Sequence, residues 1–325
     1  MSRALAGRIA LSSIISLVVL CVVSLIPTFL GTEADEYIVV RSAGFIATIR
    51  DFSDYLHAGS INRFMMGQTP RELTTEIARY GYNSLFFILP AALLATLYSY
   101  VAPLLRRVIS RRSPEILAWI ALVPIFVVAT LLQSLALGVN QLLGIRALTL
   151  AYLGGQRMPL LLPALTILLP IAAFSLRAAE SGVRDIAGRE YVRAAVGRAV
   201  PDGSLWFRHI GSGLLDRLDD LLPRSAATAI ASLFITERVF NIPGITTMLI
   251  EFPYRRYFHY YPPRIVEELQ PDGTMELVSR FGGGVYTTVV QLQAVIASAL
   301  AIIVLYVLTV LMCRLVISAL RRAIR

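Results

Sequence analysis

The chain has 325 residues, a formal net charge of +9, 56% hydrophobic residues and 16% charged residues. Soluble domains carry roughly 25% charged residues, and here the charges are gathered between apolar runs long enough to cross a bilayer, which takes about 20 residues. This composition excludes an ordinary soluble enzyme. Every basic residue is arginine, and the arginines flank apolar runs, so membrane topology explains them better than nucleic-acid binding does.

Six apolar runs predict an all-α polytopic membrane protein with about six transmembrane helices. The first run is longer than the apolar part of a signal peptide, so we expect it to be retained. The fourth contains two prolines that are expected to kink it, and the fifth is the weakest, because it is short and contains Arg224. The predicted spans are residues 9–30, 82–105, 113–138, 159–176, 221–236 and 285–320.

The arginine distribution predicts the orientation of these spans. With both termini in the cytoplasm, the inner segments carry most of the arginines, as the positive-inside rule requires. Residues 1–81 are then a first helix with an extracytoplasmic loop. Residues 82–325 form the main transmembrane domain, with an inner loop at 177–220 and an outer segment at 238–284.

Two stretches of the outer segments leave alternatives open. Residues 37–55 mix apolar and charged side chains, so they fit a helix on the membrane surface and a solvated loop equally well. Residues 254–261 are rich in aromatic side chains, which either lie at the membrane interface or line an entrance for a substrate.

Several kinds of chemistry are absent from the sequence. It contains no phosphate-binding G-x-x-x-x-G-K-[ST] loop and no H-E-x-x-H zinc motif, and its two cysteines both lie in apolar runs. We therefore expect no metal, no cofactor and no enzymatic activity in this chain. The spans are nearly free of Asp, Glu and His, which argues against an ion-coupled transporter.

The inner loop at 177–220 is the stretch most indicative of function. Read as a helix, its centre at 188–199 places Tyr191, Ala194, Ala195 and Arg198 on neighbouring turns. Small residues allow close approach of a partner, an aromatic ring fills a groove, and arginines pair with acids. This is the make-up of a docking helix, although composition alone favours an amphipathic helix on the inner leaflet.

Five motifs, in this order along the chain, resemble permeases of the binding-protein-dependent ABC importers of the dipeptide, oligopeptide and nickel family. The resemblance covers most of the chain. The motifs are Gly67-Gln68-Thr69-Pro70, Leu161-Leu162-Pro163-Ala164-Leu165-Thr166, Glu190-Tyr191-Val192-Arg193, Arg208-His209, and Glu237-Arg238-Val239-Phe240 with Pro243-Gly244.

The sequence also departs from the family pattern. Ala199 stands where the inner loop usually has glycine, and Gly213 and Arg217 replace an asparagine and a proline near the start of span five. Asp216, Asp219 and Asp220 make that start unusually polar. At the C-terminus the usual D-P-R is replaced by Arg321-Arg322-Ala323, and the stretch between spans five and six is longer than usual.

The resemblance implies a complex in the bacterial inner membrane. This chain and a homologous permease would form the pathway, two cytoplasmic ATPases would bind ATP and Mg, and an extracytoplasmic binding protein would deliver substrate. The implied extracytoplasmic turn contains Glu237, Phe240, Pro243 and Gly244. The implied ATPase-coupling residues are Glu190, Tyr191, Val192, Arg193, Ala194, Ala195, Arg198, Ala199, Arg208 and His209.

Substrate and function class stay open at this stage. Peptides are the default substrate, while nickel chelates, opines, antimicrobial peptides and polyamines are alternatives. The leading alternative from another functional class is a membrane scaffold or sensor, which would dock a cytoplasmic partner and move no solute.

Overall fold

The computed structural model confirms the mostly helical fold class. It describes residues 14–15, 18–33, 38–40, 43–66, 69–105, 123–144, 148–153, 158–260, 264–269, 275–280 and 284–324. In chain order, the helices are α1 (Val18–Phe29), α2 (Ala43–His57), α3 (Leu73–Leu105), α4 (Ile125–Leu143), α5 (Leu161–Ala187), α6 (Glu190–Gly197), α7 (Gly211–Val239), α8 (Ile245–Ile250) and α9 (Leu292–Ile324).

Within the described ranges, eight short strands accompany these helices, a feature that the sequence did not lead us to expect. They are β1 (Leu30–Glu33), β2 (Ile38–Val40), β3 (Arg63–Met66), β4 (Thr69–Glu72), β5 (Tyr254–Tyr260), β6 (Arg264–Leu269), β7 (Met275–Arg280) and β8 (Gly284–Val290).

Four of the helices are long and apolar enough to cross a membrane, among the described residues: α3, α4, α5 and α9. They correspond to predicted spans two, three, four and six, which makes this a membrane protein. Of the first predicted span, residues 18–29 form α1, while residues 9–13, 16 and 17 lie outside the described residues, as do residues 113–122 of the third span. The fifth span is part of α7, whose several charged residues keep it outside this apolar set.

The predicted boundaries need correction at several points. Helix α3 begins at Leu73 rather than at residue 82, α4 continues to Leu143 and α5 continues to Ala187. The helix of predicted span six, α9, begins at Leu292 rather than at residue 285, because residues 284–290 form β8. That apolar run is rich in Val and Thr, and such β-branched residues favour strands.

The chain divides into two compact units: residues 1–78 with 248–300, and residues 79–247 with 301–325. The first unit contains an antiparallel sheet in the order β2-β1-β8-β5. Helix α2 lies against β8, where the Thr48 hydroxyl accepts the Val290 N–H at 3.0 Å. A Cβ on Gly44 would lie 2.5 Å from the Thr288 carbonyl oxygen, so only glycine allows this approach.

The segment at 238–284, predicted to be extracytoplasmic, contains most of two antiparallel ladders, β5 with β8 and β6 with β7. Tyr254 pairs with Val290 and Tyr260 with Gly284 in the first ladder, and Arg264 pairs with Arg280 in the second. Residue numbers of paired residues keep the same sum in both ladders, so the two ladders share one register. The aromatic stretch at 254–261 is therefore largely strand β5.

The second unit is a helical body in which α5 packs along α7 and α4 contacts both. Its apolar core draws on α3, α5, α6, α7 and α9. The largest contribution comes from α7, through Leu214, Leu215, Leu218, Leu222 and Ala226. This core supports α6 and the start of α7, where the first site considered below lies.

Candidate functional site

The stretch at 177–220, predicted as a loop with a helical centre, is helical almost throughout, and we call it the α5–α7 segment. Helix α5 continues to Ala187, and α6 follows after a break at Gly188 and Arg189. The chain then enters α7 through a π-helical turn at Leu205–Ile210. Turns of this type are rare and occur often at functional sites.

Helix α6 has one buried side and one exposed side. Val192 and Ala195 are only 3% and 6% exposed, and they lie in the core of the second unit with Ile186 and Leu214. Both were expected to contact a partner. The structure buries both in the core, where they anchor α6, and it leaves Ala194 and Gly197 as small residues on the exposed side.

The exposed side carries aromatic, aliphatic and cationic residues. Tyr191 is 45% exposed, and its hydroxyl lies 3.3 Å from the His209 carbonyl oxygen, which links α6 to the π-turn. Val196 and Phe207 are more than half exposed. We call this surface the α6 face and define it as Glu190, Tyr191, Arg193, Ala194, Val196, Arg198, Phe207 and Arg208.

Two members of the α6 face, Val196 and Phe207, were missed by the sequence analysis. Val196 follows Val192 by four residues, and helical spacing would place both on the same side. Because α6 ends one residue later, Val196 escapes the core that buries Val192. Phe207 lies in the π-turn, whose irregular spacing gives no periodic signal.

A Schellman motif ends α6. The Val200 N–H bonds to the Ala195 carbonyl at 3.2 Å, and the Ala199 N–H bonds to the Val196 carbonyl at 3.0 Å. Ala199 has a φ of +55°, in the left-handed region. Glycine usually occupies this position because a Cβ is strained there, so a glycine at position 199 would end the helix without that strain.

The second predicted site, the turn at 237–244, begins where α7 ends. It is closed by the same kind of motif: the Ile242 N–H bonds to the Glu237 carbonyl at 2.8 Å, and Asn241 has a φ of +52°. The Asn83 amide donates to the Pro243 carbonyl at 2.7 Å, and Phe240 is fully buried. The turn is therefore fixed to α3.

Glu237 is 1% exposed and accepts hydrogen bonds from α3 and from the start of α8. The Ser84 hydroxyl donates to one carboxylate oxygen, and Thr246 donates to the other through its hydroxyl and, at 2.9 Å, through its N–H. A Cβ on Gly244 would overlap the Glu237 carboxyl group, which explains why Pro243 is followed by glycine.

Glu237 follows the predicted fifth span in the chain. Burial raises its pKa from 4.5 to about 7, although the hydrogen bonds from Ser84 and Thr246 pull in the opposite direction. Such a group fits a structural role, since both of its oxygens are already engaged within the chain.

The structure does not bring the two predicted sites together. The α6 face belongs to the cytoplasm-facing segment of our topology, and the turn at 237–244 lies at the other end of α7. No group of three or more His, Cys, Asp or Glu residues that could hold a metal ion occurs among the described residues. The exposed aromatic, aliphatic and cationic side chains of the α6 face are suited to contact with another protein.

Comparison with known proteins gives one partial likeness. The chain is 26% identical over 92 residues to a protein of Sinorhizobium fredii described as a probable peptide ABC transporter permease. The match covers 28% of this chain and 29% of that protein. No family model matches the sequence.

Proposed function

We propose that this chain is a permease subunit of an ATP-driven ABC importer and that the α6 face is the seat of a cytoplasmic ATPase. The observation that carries the proposal is the construction of α6. Its exposed side presents Tyr191, Val196 and Phe207 among arginines, while Val192 and Ala195 fix its other side in the core.

The chemistry of the α6 face defines what it fits. Aromatic residues and arginine are enriched at protein–protein contacts, and they act best when a rigid support holds them. Arg193, Arg198 and Arg208 are exposed and make the surface cationic. A partner that binds here presents an apolar groove with acidic residues at its edge.

Anchoring gives the contact a mechanical role. When the ATPases close on ATP, they shift α6, and α6 shifts the helices that share its core. A packed core transmits such a shift because it resists compression. The permease then alternates between inward- and outward-facing arrangements, as switching between two states requires.

The remaining parts of the proposal concern partners, place and substrate. We place the complex in a bacterial inner membrane with both termini of this chain cytoplasmic. A second permease, two ATPases that bind ATP and Mg, and an extracytoplasmic binding protein complete it, and the turn at 237–244 lies near the docked binding protein. Peptides are the proposed substrate, because the similar protein of Sinorhizobium fredii is described as a probable peptide transporter permease.

The test of the docking claim is a double substitution, Tyr191→Ala with Arg193→Glu. We expect it to remove ATPase association from the detergent-solubilised complex and to abolish ATP-dependent uptake. The matched control is Tyr82→Ala with Arg322→Glu, the same changes at exposed positions outside the α6 face. If the double variant binds the ATPase and transports as well as the control, the proposal is wrong.

A scaffold or sensor is the second candidate, because the α6 face by itself requires a partner but not a solute. Substrate-stimulated ATP hydrolysis by the purified complex separates the two functions. An importer shows it in the presence of binding protein and substrate, whereas a scaffold binds its partner without it.

A further inference from the structure

Four charged side chains join the start of α7 to the end of α9. The Arg314 Nε lies 3.0 Å from Asp219, and one terminal nitrogen of Arg321 lies 2.7 Å from Asp216 and 3.6 Å from Asp219. Arg321 therefore bridges two carboxylates, and Asp219 is shared between two arginines. We call these four residues the ionic clamp.

The clamp is a partly shielded, charge-balanced network. The side chains of Arg314, Asp219 and Arg321 are 23%, 30% and 34% exposed, whereas Asp216 is 74% exposed. A single exposed ion pair contributes little, but a network with shared partners fixes geometry more effectively, since each member is already restrained by another. Two positive charges balance two negative ones. Replacing only the two arginines by acids, or only the two aspartates by bases, would therefore leave four like charges together.

An apolar layer beneath the clamp joins the same two helices. Leu215 and Leu218 of α7 and Cys313 and Ile317 of α9 belong to one core, in which all four are nearly fully buried. That core also holds Val192 of α6. The clamp thus lies at the edge of the packing that supports the α6 face.

A cavity connects the clamp with the α6 face at the surface. It has a volume of about 300 Å³, and its lining includes Arg208 of the α6 face together with Asp216 and Arg321 of the clamp. Ser212 also lines it, and its hydroxyl donates to the Arg208 carbonyl oxygen at 2.8 Å. The start of α7 therefore contacts both the α6 face and the end of α9.

We propose that the ionic clamp is a positioning device that makes the end of α9 move together with α6 and α7 when the ATPase shifts α6. This inference rests on the proposed function, because it assigns the clamp to the coupling of ATP hydrolysis to transport. Core packing alone tolerates small sliding of one helix along another, and the ion pairs oppose such sliding at the open end of the core. Without the clamp, α6 and α7 shift while α9 stays behind, and ATP hydrolysis is uncoupled from transport.

The experiment compares three forms of the reconstituted complex with wild type. Arg314→Asp with Arg321→Asp puts four acids together, and adding Asp216→Arg with Asp219→Arg restores opposite charges in all three pairs. Arg322→Asp is the matched control, since Arg322 is exposed and adjacent to the clamp but outside it. ATPase association, ATP hydrolysis and uptake are measured for each form.

For the acidic double variant we expect ATPase association as in wild type, continued ATP hydrolysis, and uptake reduced at least about fivefold, the lower end of typical coupling factors. The fourfold variant should recover most of the uptake, and Arg322→Asp should behave as wild type. A control that loses uptake as much as the double variant overturns the inference, because it makes the effect one of general charge.

Three other results also contradict the clamp: uptake unchanged in the double variant, loss of ATPase association in that variant, or no recovery in the fourfold variant. The same series separates this inference from the proposed function. If wild type neither binds an ATPase nor shows ATP-dependent uptake, the proposed function is wrong and the clamp has no coupling to serve. If wild type does both, only the behaviour of the variants decides.

Discussion

At the scale of single residues, Ala199 and Asn241 occupy the same position in two copies of one helix-ending motif. Both have a left-handed backbone, with φ values of +55° and +52°. Asparagine tolerates this region better than alanine does. The two helix ends are therefore closed by the same hydrogen bonds, but at Ala199 the chain is strained.

Ala199→Gly should relieve this strain. We expect the free energy of unfolding to rise by about 1 kcal/mol, because glycine adopts a left-handed backbone without steric cost. Thermal unfolding of the detergent-solubilised protein measures the effect, with Ala194→Gly as the control. Ala194 lies inside α6, where glycine should be destabilising by a similar amount, so equal effects of the two substitutions would contradict the account.

Glu237 gives a prediction about pH. Its pKa is raised to about 7 in the folded protein, so the folded state binds the proton more tightly than the unfolded chain does. The stabilisation is complete below pH 4.5 and is lost as pH rises through 7. It amounts to at most about 3 kcal/mol.

The variant that tests this pH dependence is Glu237→Gln, which keeps the shape of the side chain and cannot titrate. We expect wild type to lose stability between pH 5 and pH 8 and the variant to lose less. Ser84 can accommodate the new amide, because its hydroxyl can turn to the Tyr80 carbonyl, 3.2 Å away. Identical pH profiles of wild type and variant would show that Glu237 does not titrate as described.

At the scale of elements, α6 offers a matched pair of valines one turn apart. Val192 is 3% exposed and Val196 is 58% exposed. Val192→Asp buries an unpaired carboxylate and should destabilise the protein by several kcal/mol. Val196→Asp should leave the melting temperature unchanged within error but weaken ATPase association, since it adds an acid to a cationic docking surface.

Melting curves and ATPase pull-down of the two variants together check this assignment of the faces of α6. A reversed result, with Val196→Asp destabilising and Val192→Asp tolerated, would mean that α6 is rotated about its axis relative to the structure. Loss of stability in neither variant would mean that α6 does not pack on the core.

Some of the helices could be predicted from the sequence, but the strands could not. Long apolar runs predicted α3, α4, α5 and α9, because the bilayer requires about 20 apolar residues whatever the tertiary packing. The strands were not predicted. β8 pairs with β1, more than 250 residues earlier in the chain, and no local pattern records such a partner.

The sites were predicted unevenly for a similar reason. The motif order identified α6 and the turn at 237–244, but it could not say which residues of α6 face inward. Val192 and Ala195 are buried by α7 and α5, which local spacing does not reveal. The α7–α9 ion pairs join residues about 100 positions apart in the chain. The sequence therefore showed that the start of α7 is acidic, but it could not show which arginines bind these acids.

At the scale of the whole molecule, both proposed contact surfaces belong to one of the two compact units. The helical unit carries the α6 face and its support, and the other unit carries the four-stranded sheet and the β6–β7 ladder. The turn at 237–244 belongs to the helical unit and is fixed to α3 through Ser84 and Asn83. Each contact surface is thus built on a rigid element.

The central claim is that ATP hydrolysis by a partner drives a solute through this protein. Its most direct test is uptake of labelled peptide by proteoliposomes that contain the full complex, with binding protein outside and ATP inside. The account predicts uptake that requires ATP, is unaffected by a protonophore, and is lost in the Tyr191→Ala, Arg193→Glu variant. Uptake that follows a proton gradient without ATP, or that survives the double substitution, would contradict it.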